Sequence, residues 1–291
     1  MLLGYKMKLA LVIGKSGQVA NELLQTKLND YQVIALGRND IDITDVTSIE
    51  KAIIEYNPNV IINASAYTAV DKAESDSENA YLINSEAVAN LATQCKKFSV
   101  KFLHVSTDFV FNGESNKAYL IDDETDPQGV YGASKLAGEE AIKRIYPDGS
   151  SIVRTSWVYS TFGNNFVKTM LRLMAEKEEL GIVTDQIGCP TYAKGLAEFL
   201  WELVLIEKPN LIYHWSDAGV ASWYDFAVAI QNSGFDKGLL NKKIPLKGIP
   251  SSAYPTPAKR PAFSLLDAST SDSIKKRVHW SEHLEQCITQ L

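Results

Sequence analysis

Cysteine is scarce. The chain has three in 291 residues, Cys95, Cys189 and Cys287, far apart and odd in number. With no Cys-x-x-Cys pair they form neither a disulfide framework nor a zinc site, and they read as small buried hydrophobes. Long apolar runs are also missing. The most apolar helical stretch, near Phe199 to Ile206, is interrupted by Glu202. The opening Met1 to Met7 is too short for a secretory leader, so no membrane partner is expected and the cytoplasm is the default location. Met7, just ahead of the first apolar run, is an alternative start to Met1. Positive charge is in the minority, with 29 Lys plus Arg against 35 Asp plus Glu and a net charge of −6. The dense basic cluster Lys275-Lys-Arg277 reads as solvated surface, so nucleic acid is not an expected partner. An anionic ligand would have to be met locally, by a few cations and a helix N-terminus. Repeats and low-complexity segments are absent too.

What is present is alternation. Short apolar runs at Leu9–Ile13, Gln32–Leu36, Val60–Asn63, Lys101–Ser106 and Ser151–Arg154 read as strands. Helical patterns separate them: one bearing Leu23, Leu24 and Leu28, then 46–56, 79–97 and 131–146. This order defines βαβ units, a parallel sheet and right-handed crossovers. The expected fold is α/β, a Rossmann-type doubly wound parallel sheet with a smaller α/β substrate-binding lobe. The larger unit would take 1–157, with 175–212 and about 236–250 returning to it. The lobe would take 158–174, 213–235 and 251–291. The segment Pro250–Pro261, rich in proline, reads as an ordered loop over a ligand cleft or as a surface connection.

Gly14-Lys-Ser-Gly-Gln-Val-Ala20 lies between the first strand and the first helix. Gly14 and Gly17 allow a tight turn and close approach to a pyrophosphate, and Ser16, Gln18 and Val19 offer backbone amides at a helix N-terminus. A lone Gly-x-x-Gly is weak, and its place in the βαβ run strengthens it. Arg38 follows the second strand, where an acidic residue would bind a free ribose 2′-hydroxyl. An arginine there suits a 2′-phosphate, which favours NADPH with NADH as the alternative; a solvated surface arginine is the bland reading.

Tyr131 and Lys135 stand four apart at the start of a helix, on one face. An ammonium beside a phenol is expected to draw its pKa down toward neutrality, and the phenol can protonate a developing alkoxide. One Tyr-x-x-x-Lys arises by chance in a chain of this composition, so position has to decide. Thr107 ends the preceding strand, on the rim where parallel sheets bind ligands. A hydroxyl, a phenol and a lysine are what ketone reduction requires.

With these residues in view, the chain resembles the extended short-chain dehydrogenases, and within them the dTDP-4-dehydrorhamnose reductase family. The resemblance rests on Gly14-Lys-Ser-Gly-Gln-Val19, Asn63-Ala-Ser-Ala-Tyr-Thr-Ala-Val-Asp-Lys-Ala-Glu74, Ser106-Thr-Asp-Phe-Val-Phe-Asn-Gly113 and Tyr131-Gly-Ala-Ser-Lys-Leu-Ala-Gly-Glu139. It continues through Arg154-Thr-Ser-Trp-Val-Tyr159, Thr184-Asp-Gln-Ile-Gly-Cys-Pro-Thr191 and the loop 250–261. It implies that Thr107, Tyr131 and Lys135 are catalytic. Asp42, Ile43, Ala64, Ala66 and Tyr67 would border the cofactor. Val70, Asp108, Phe109, Trp157 and Asn165 would lie near the sugar nucleotide, and Arg260 would meet its diphosphate. Core packing for Trp157 and simple exposure for Arg260 are the alternatives. The chain departs from the pattern at Phe109, often tyrosine in relatives. Glu22 matches one position of a carboxylate metal site found in some relatives, but Lys194 occupies another, so no metal is expected. No acidic residue follows Asp108, which speaks against dehydration chemistry. The implied reaction is NADPH-dependent reduction of the 4-keto group of dTDP-6-deoxy-L-lyxo-4-hexulose to dTDP-L-rhamnose, by a monomer or homodimer. A related 4-keto-sugar-nucleotide reductase and a non-catalytic regulatory subunit on the same fold are the competing readings.

Overall fold

The structure is a computed structural model and describes residues 7–291. Its first half runs β1 (Lys8–Ile13), α1 (Gln18–Gln25), β2 (Tyr31–Leu36), α2 (Val46–Tyr56), β3 (Val60–Asn63), α3 (Val70–Ala73), α4 (Ser77–Tyr81), a π-turn (Leu82–Glu86), α5 (Ala87–Phe98), β4 (Lys101–Thr107), α6 (Val130–Ile145) and β5 (Ser150–Thr155). The second half runs β6 (Val158–Tyr159), α7 (Phe166–Glu176), β7 (Leu180–Val183), β8 (Ile187–Gly188), β9 (Thr191–Tyr192), α8 (Ala193–Leu205), β10 (Ile212–His214), β11 (Ala221–Ser222), α9 (Trp223–Asp236), β12 (Leu246–Ile249), α10 (Ser269–Asp272) and α11 (Trp280–Ile288).

Six strands form one parallel sheet in the order β10-β5-β4-β3-β1-β2. The central strands are near-continuous apolar runs because helices cover both faces. On one face Leu23 of α1 and Leu196, Phe199, Leu200 and Trp201 of α8 pack on Val12, Ile62 and Val153. On the other, Ile49 and Ile53 of α2, Leu91 of α5 and Ile142 of α6 pack on Leu11, Ile61 and Ile152. Each such buried side chain contributes roughly 1.5–3 kcal/mol relative to exposure. Lys101 Nζ closes the C-terminal end of α8, donating to the carbonyls of Leu203 (2.7 Å), Val204 (3.1 Å) and Ile206. From β1 the chain moves out to β2 and then crosses back to β3 on the other side. That reversal opens a crevice beyond the carboxyl ends of β1 and β3.

A separate apolar cluster joins α7, α9, α11 and β7 through Val167, Met170, Met174, Ile182, Phe226, Ile230, Leu284 and Ile288. Strand β7 pairs in parallel with β12, and Ile244, just before β12, packs in this cluster. The expectation that 175–212 and 236–250 return whole to the larger unit is therefore corrected. Strand β7 and β12 are half-exposed and satisfy each other, away from the six-stranded sheet. In the other direction, β10 at 212–214 belongs to the main sheet and runs past the boundary drawn at 213. The helix expected over 79–97 is also divided. It widens into the π-turn so that Asn84 can face inward: Oδ1 accepts from Tyr67 N at 2.8 Å, and Nδ2 donates to Tyr67 O at 3.1 Å and Ser134 Oγ at 3.0 Å. All three cysteines are buried and unpaired. Among the described residues no helix is long and apolar enough to cross a membrane.

Candidate active site

The dinucleotide turn is built as the glycines require. Gly14 has φ +106°, and a Cβ there would lie 2.9 Å from Ala64 O. Its left-handed backbone lets β1 end against the start of the β3 loop. Gly17 N donates back to Gly14 O at 2.8 Å. As the N-cap of α1, Gly17 supplies no side-chain cap, so the first amides of the helix, at Gln18 and Val19, are left to meet an anion. Ser16 is exposed, Gln18 half-buried and Val19 buried. At the end of β2, Arg38 is exposed and forms no ion pair among the described residues. Lys15, which the sequence reading passed over, sits beside Gly37 and pairs with Asp40 at 3.4 Å. Two cations thus flank the sheet edge where a 2′-phosphate would lie, and the uncapped helix faces the pyrophosphate position. The residues present fit NADPH.

Other residues assigned to the cofactor are engaged by the protein. Asp42 Oδ1 accepts from Thr44 N (2.9 Å) and Thr44 Oγ1 (2.7 Å), which hold its carboxyl below the usual range, while Ile43 is buried. Ala64 and Ala66 are half-buried in the loop after β3. The Tyr67 hydroxyl donates to Asp76 at 2.9 Å.

Thr107 closes β4, and its hydroxyl accepts from Phe109 N at 3.2 Å and donates to Asp108 Oδ1 at 3.0 Å. It lies against the Tyr131 phenol and lowers its pKa, but burial and the nearby Asp108 outweigh it and push the phenol up to about 12. Lys135 does not supply the expected downward pull. Its ammonium end turns to β4, donating to Val105 O at 2.7 Å and meeting His104 Nε2 at 3.1 Å. The expectation that Lys135 draws the phenol toward neutrality is corrected for this structure, because that nitrogen is already engaged. Tyr131 therefore keeps its proton at neutral pH. Asp108 is 2% exposed, its Oδ2 has no partner, and burial raises its carboxyl to about 6 against the hydroxyls of Ser264 and Thr107. Phe109 meets the Tyr131 ring edge-on, centroids 5.5 Å apart.

The remaining positions lie on other elements. Val70 opens α3 and is half-buried. Trp157 has a left-handed backbone, φ +48°, and stacks on Trp223 at 3.7 Å; Trp223 was not foreseen. Asn165 caps α7 through Oδ1 and donates from Nδ2 to Gln18 Oε1 at 2.9 Å and Ser160 O at 2.7 Å. It therefore ties the lobe to the dinucleotide turn. Arg260 pairs with Asp71 at 2.8 Å. Glu22 is buried, accepts from Ser160 Oγ at 2.6 Å, and has its carboxyl raised by burial against the opposing Lys194. Sequence reading also passed over the buried pair Arg154–Glu139, at 2.7 Å. Its one visible signal was an arginine inside an otherwise apolar strand.

A glycine turn at the sheet's switch point, with threonine, tyrosine and lysine at the carboxyl end of β4 and the start of α6, defines an extended short-chain dehydrogenase. Comparison with known proteins narrows this. The family described as RmlD substrate binding domain matches residues 7–291, and the chain belongs to it. It is 40% identical over 284 residues to the spore coat polysaccharide biosynthesis protein SpsK of Bacillus subtilis, covering 96% of each chain. It is 40% identical over 268 residues to the dTDP-4-dehydrorhamnose reductase of Escherichia coli, covering 88% of each. A crystal structure of dTDP-4-dehydrorhamnose reductase from Bacillus anthracis in complex with NADP superimposes with a TM-score of 0.91 at 33% identity, over 98% of this chain and 99% of that one.

Proposed function

We propose that this chain reduces the 4-keto group of dTDP-6-deoxy-L-lyxo-4-hexulose to give dTDP-L-rhamnose, an NADPH-dependent oxidoreductase reaction. The observation behind this reading is that the Tyr131 phenol, protonated at neutral pH, lies against the Thr107 hydroxyl at the carboxyl end of β4. NADPH, when bound, supplies the hydride. Gly14, Gly17, Gln18 and Val19 hold its pyrophosphate, and Arg38 with Lys15 meets its 2′-phosphate. Thr107 hydrogen-bonds the substrate oxygen and Tyr131 donates its proton to it as negative charge develops. The raised pKa keeps Tyr131 loaded with its proton before the step; the weaker acidity that comes with it is offset as Lys135 steadies the phenolate. Lys135, one helical turn along, steadies the phenolate left behind. Phe109 and Trp157 offer apolar surface to the deoxysugar, whose sixth carbon is a methyl rather than a hydroxymethyl group. Val70 and Asp108 line the same space. The lobe built on α7, α9 and α11 closes over the sugar nucleotide. We place the protein in the cytoplasm, in keeping with three unpaired buried cysteines.

The test is a coupled assay with the dTDP-linked 4-keto-sugar and NADPH or NADH, followed by identification of the product. Formation of dTDP-L-rhamnose is the expected result. A different epimer or deoxysugar would favour a related reductase, and no turnover with a stable protein partner would favour a regulatory subunit. An intact Thr107, Tyr131 and Lys135 set argues against the last.

A further inference from the structure

Between β3 and α6 runs a line of polar groups that ends on Lys135 and whose other members the reaction above leaves unused. Ser65 donates to Asn63 Oδ1 through its backbone N–H (3.1 Å) and its hydroxyl (2.6 Å). Asn63 Nδ2 meets His104 Nδ1 at 3.1 Å. His104 Nε2 meets Lys135 Nζ at 3.1 Å, and that Nζ also donates to Val105 O at 2.7 Å. Asn63 and His104 are 0% exposed and Lys135 1%.

The donor count makes this line asymmetric. The Ser65 N–H fixes the Asn63 amide with its oxygen toward Ser65 and its NH2 toward the ring. An amide NH2 only donates, so Nδ1 must be bare, and a neutral imidazole then carries its hydrogen on Nε2. That hydrogen points at Lys135 Nζ. A neutral amine has a lone pair to accept it, and an ammonium has none. Were Lys135 charged, it would donate to Nε2 and the ring hydrogen would move to Nδ1, opposite the Asn63 NH2. Turning the Asn63 amide over would relieve that contact only by setting its NH2 against the Ser65 N–H. With His104 neutral, a charged Lys135 always leaves one pair of donors face to face, an unfavourable contact in a buried site.

We propose that His104, oriented by Asn63 and Ser65, is a positioning residue that restrains Lys135 toward its neutral amine and couples its protonation to the orientation of the Asn63 amide. The inference rests on Lys135 serving the reductase site described above. Charge on Lys135 then becomes favourable chiefly when a negative partner forms beside it, as the phenolate of Tyr131 does during turnover. The charged groups around the pair are few. Glu139, one turn along α6, favours the ammonium, but it is held by Arg154 and accepts the Ser106 hydroxyl. Asp108, bonded to the Thr107 hydroxyl, acts on Tyr131. Burial works in the same direction as the donor count, lowering Lys135 to about 8 and His104 well below the ordinary imidazole value.

The test combines spectroscopy with kinetics. In 15N-histidine NMR spectra of the wild-type protein, without added nucleotide, His104 is expected as the Nε2–H tautomer. In a 13C-lysine titration assigned by Lys135→Arg, the Lys135 signal is expected to titrate well below the surface lysines. His104→Gln places an amide oxygen where Nε2 was and accepts from the ammonium. It should move the Lys135 titration upward by about one pH unit, and with it the alkaline limb of kcat, while KM for the keto-sugar changes little. An Nδ1–H tautomer, a Lys135 signal titrating with the surface lysines, or a folded His104→Gln variant with an unmoved titration would overturn the proposal. If the NMR results are as expected but no keto-sugar is reduced, the functional reading fails and this one stands.

Discussion

The Arg260 guanidinium meets the Asp71 carboxylate at 2.8 Å, joining the proline-rich loop to the first turn of α3 across 189 positions. Ala258 N reaches the other carboxylate oxygen at 3.3 Å. Both side chains are about one-third exposed, so the pair itself contributes only about 0–1 kcal/mol. Its effect is to hold the loop against the start of α3. Arg260→Ala is expected to raise KM for the dTDP-sugar about tenfold with kcat within a few-fold. Asp71→Asn is expected to leave the melting temperature nearly unchanged. Steady-state kinetics and thermal melts check both; an unchanged KM in Arg260→Ala would remove the arginine from the diphosphate site.

Arg38 is the exposed cation at the end of β2. Removing it should raise KM for NADPH roughly tenfold, the loss of about 1.4 kcal/mol, and leave KM for NADH nearly unchanged. A proportional loss with both cofactors would mean that Arg38 does not read the 2′-phosphate.

Burial raises the Asp108 carboxyl to about 6 from 3.8. A group whose folded pKa lies above its unfolded value gives its full stabilisation below the unfolded pKa and loses it as pH rises through the folded one. Ionisation of Asp108 therefore removes stability between about pH 4 and 6 that stays lost above it, on the order of 3 kcal/mol. Asp108→Asn should melt at a higher temperature than wild type at pH 8 and nearly together with it at pH 4. A variant equally destabilised at both pH values would show that the carboxyl is not strained by ionisation.

Arg154 and Glu139 are 1% and 0% exposed and share hydrogen bonds of 2.7–3.1 Å. Arg154→Met leaves the carboxylate buried without its partner and should cost about 3–5 kcal/mol. The double variant with Glu139→Leu should recover part of the loss, because no charge is then left unpaired. Denaturant unfolding of the wild type, the two single variants and the double variant measures this coupling, and simple additivity would argue against it.

Much of this was legible in the chain. Buried parallel strands are near-continuous apolar runs, so Leu9–Ile13 and Val60–Asn63 announced themselves, and glycines at 14 and 17 marked the turn between the first strand and helix. Thr107 and Tyr131 were legible because strand ends and helix starts converge on one rim of such a sheet. Groups whose role depends on contacts distant in sequence were not. The π-turn at Asn84 answers the Tyr67 backbone and Ser134, and a Cβ at Gly138 would strike the Asn84 carbonyl at 2.2 Å; none of this has a local pattern. Asn63 and His104 stood in view as polar residues inside apolar strands, but their partners come from other segments. The direction of Lys135, set by its bonds to β4, left the Tyr131 phenol without the expected downward pull. The return of β12 to β7 was missed because short, half-exposed strands have no clear period.

The most direct measurement is on Tyr131→Phe, comparing kcat for keto-sugar reduction with the Kd for NADPH. If the phenol is the proton donor, kcat falls by about 10²–10⁴-fold while Kd stays within a factor of two. Turnover close to wild type in a folded, NADPH-binding variant would contradict the assignment of this site.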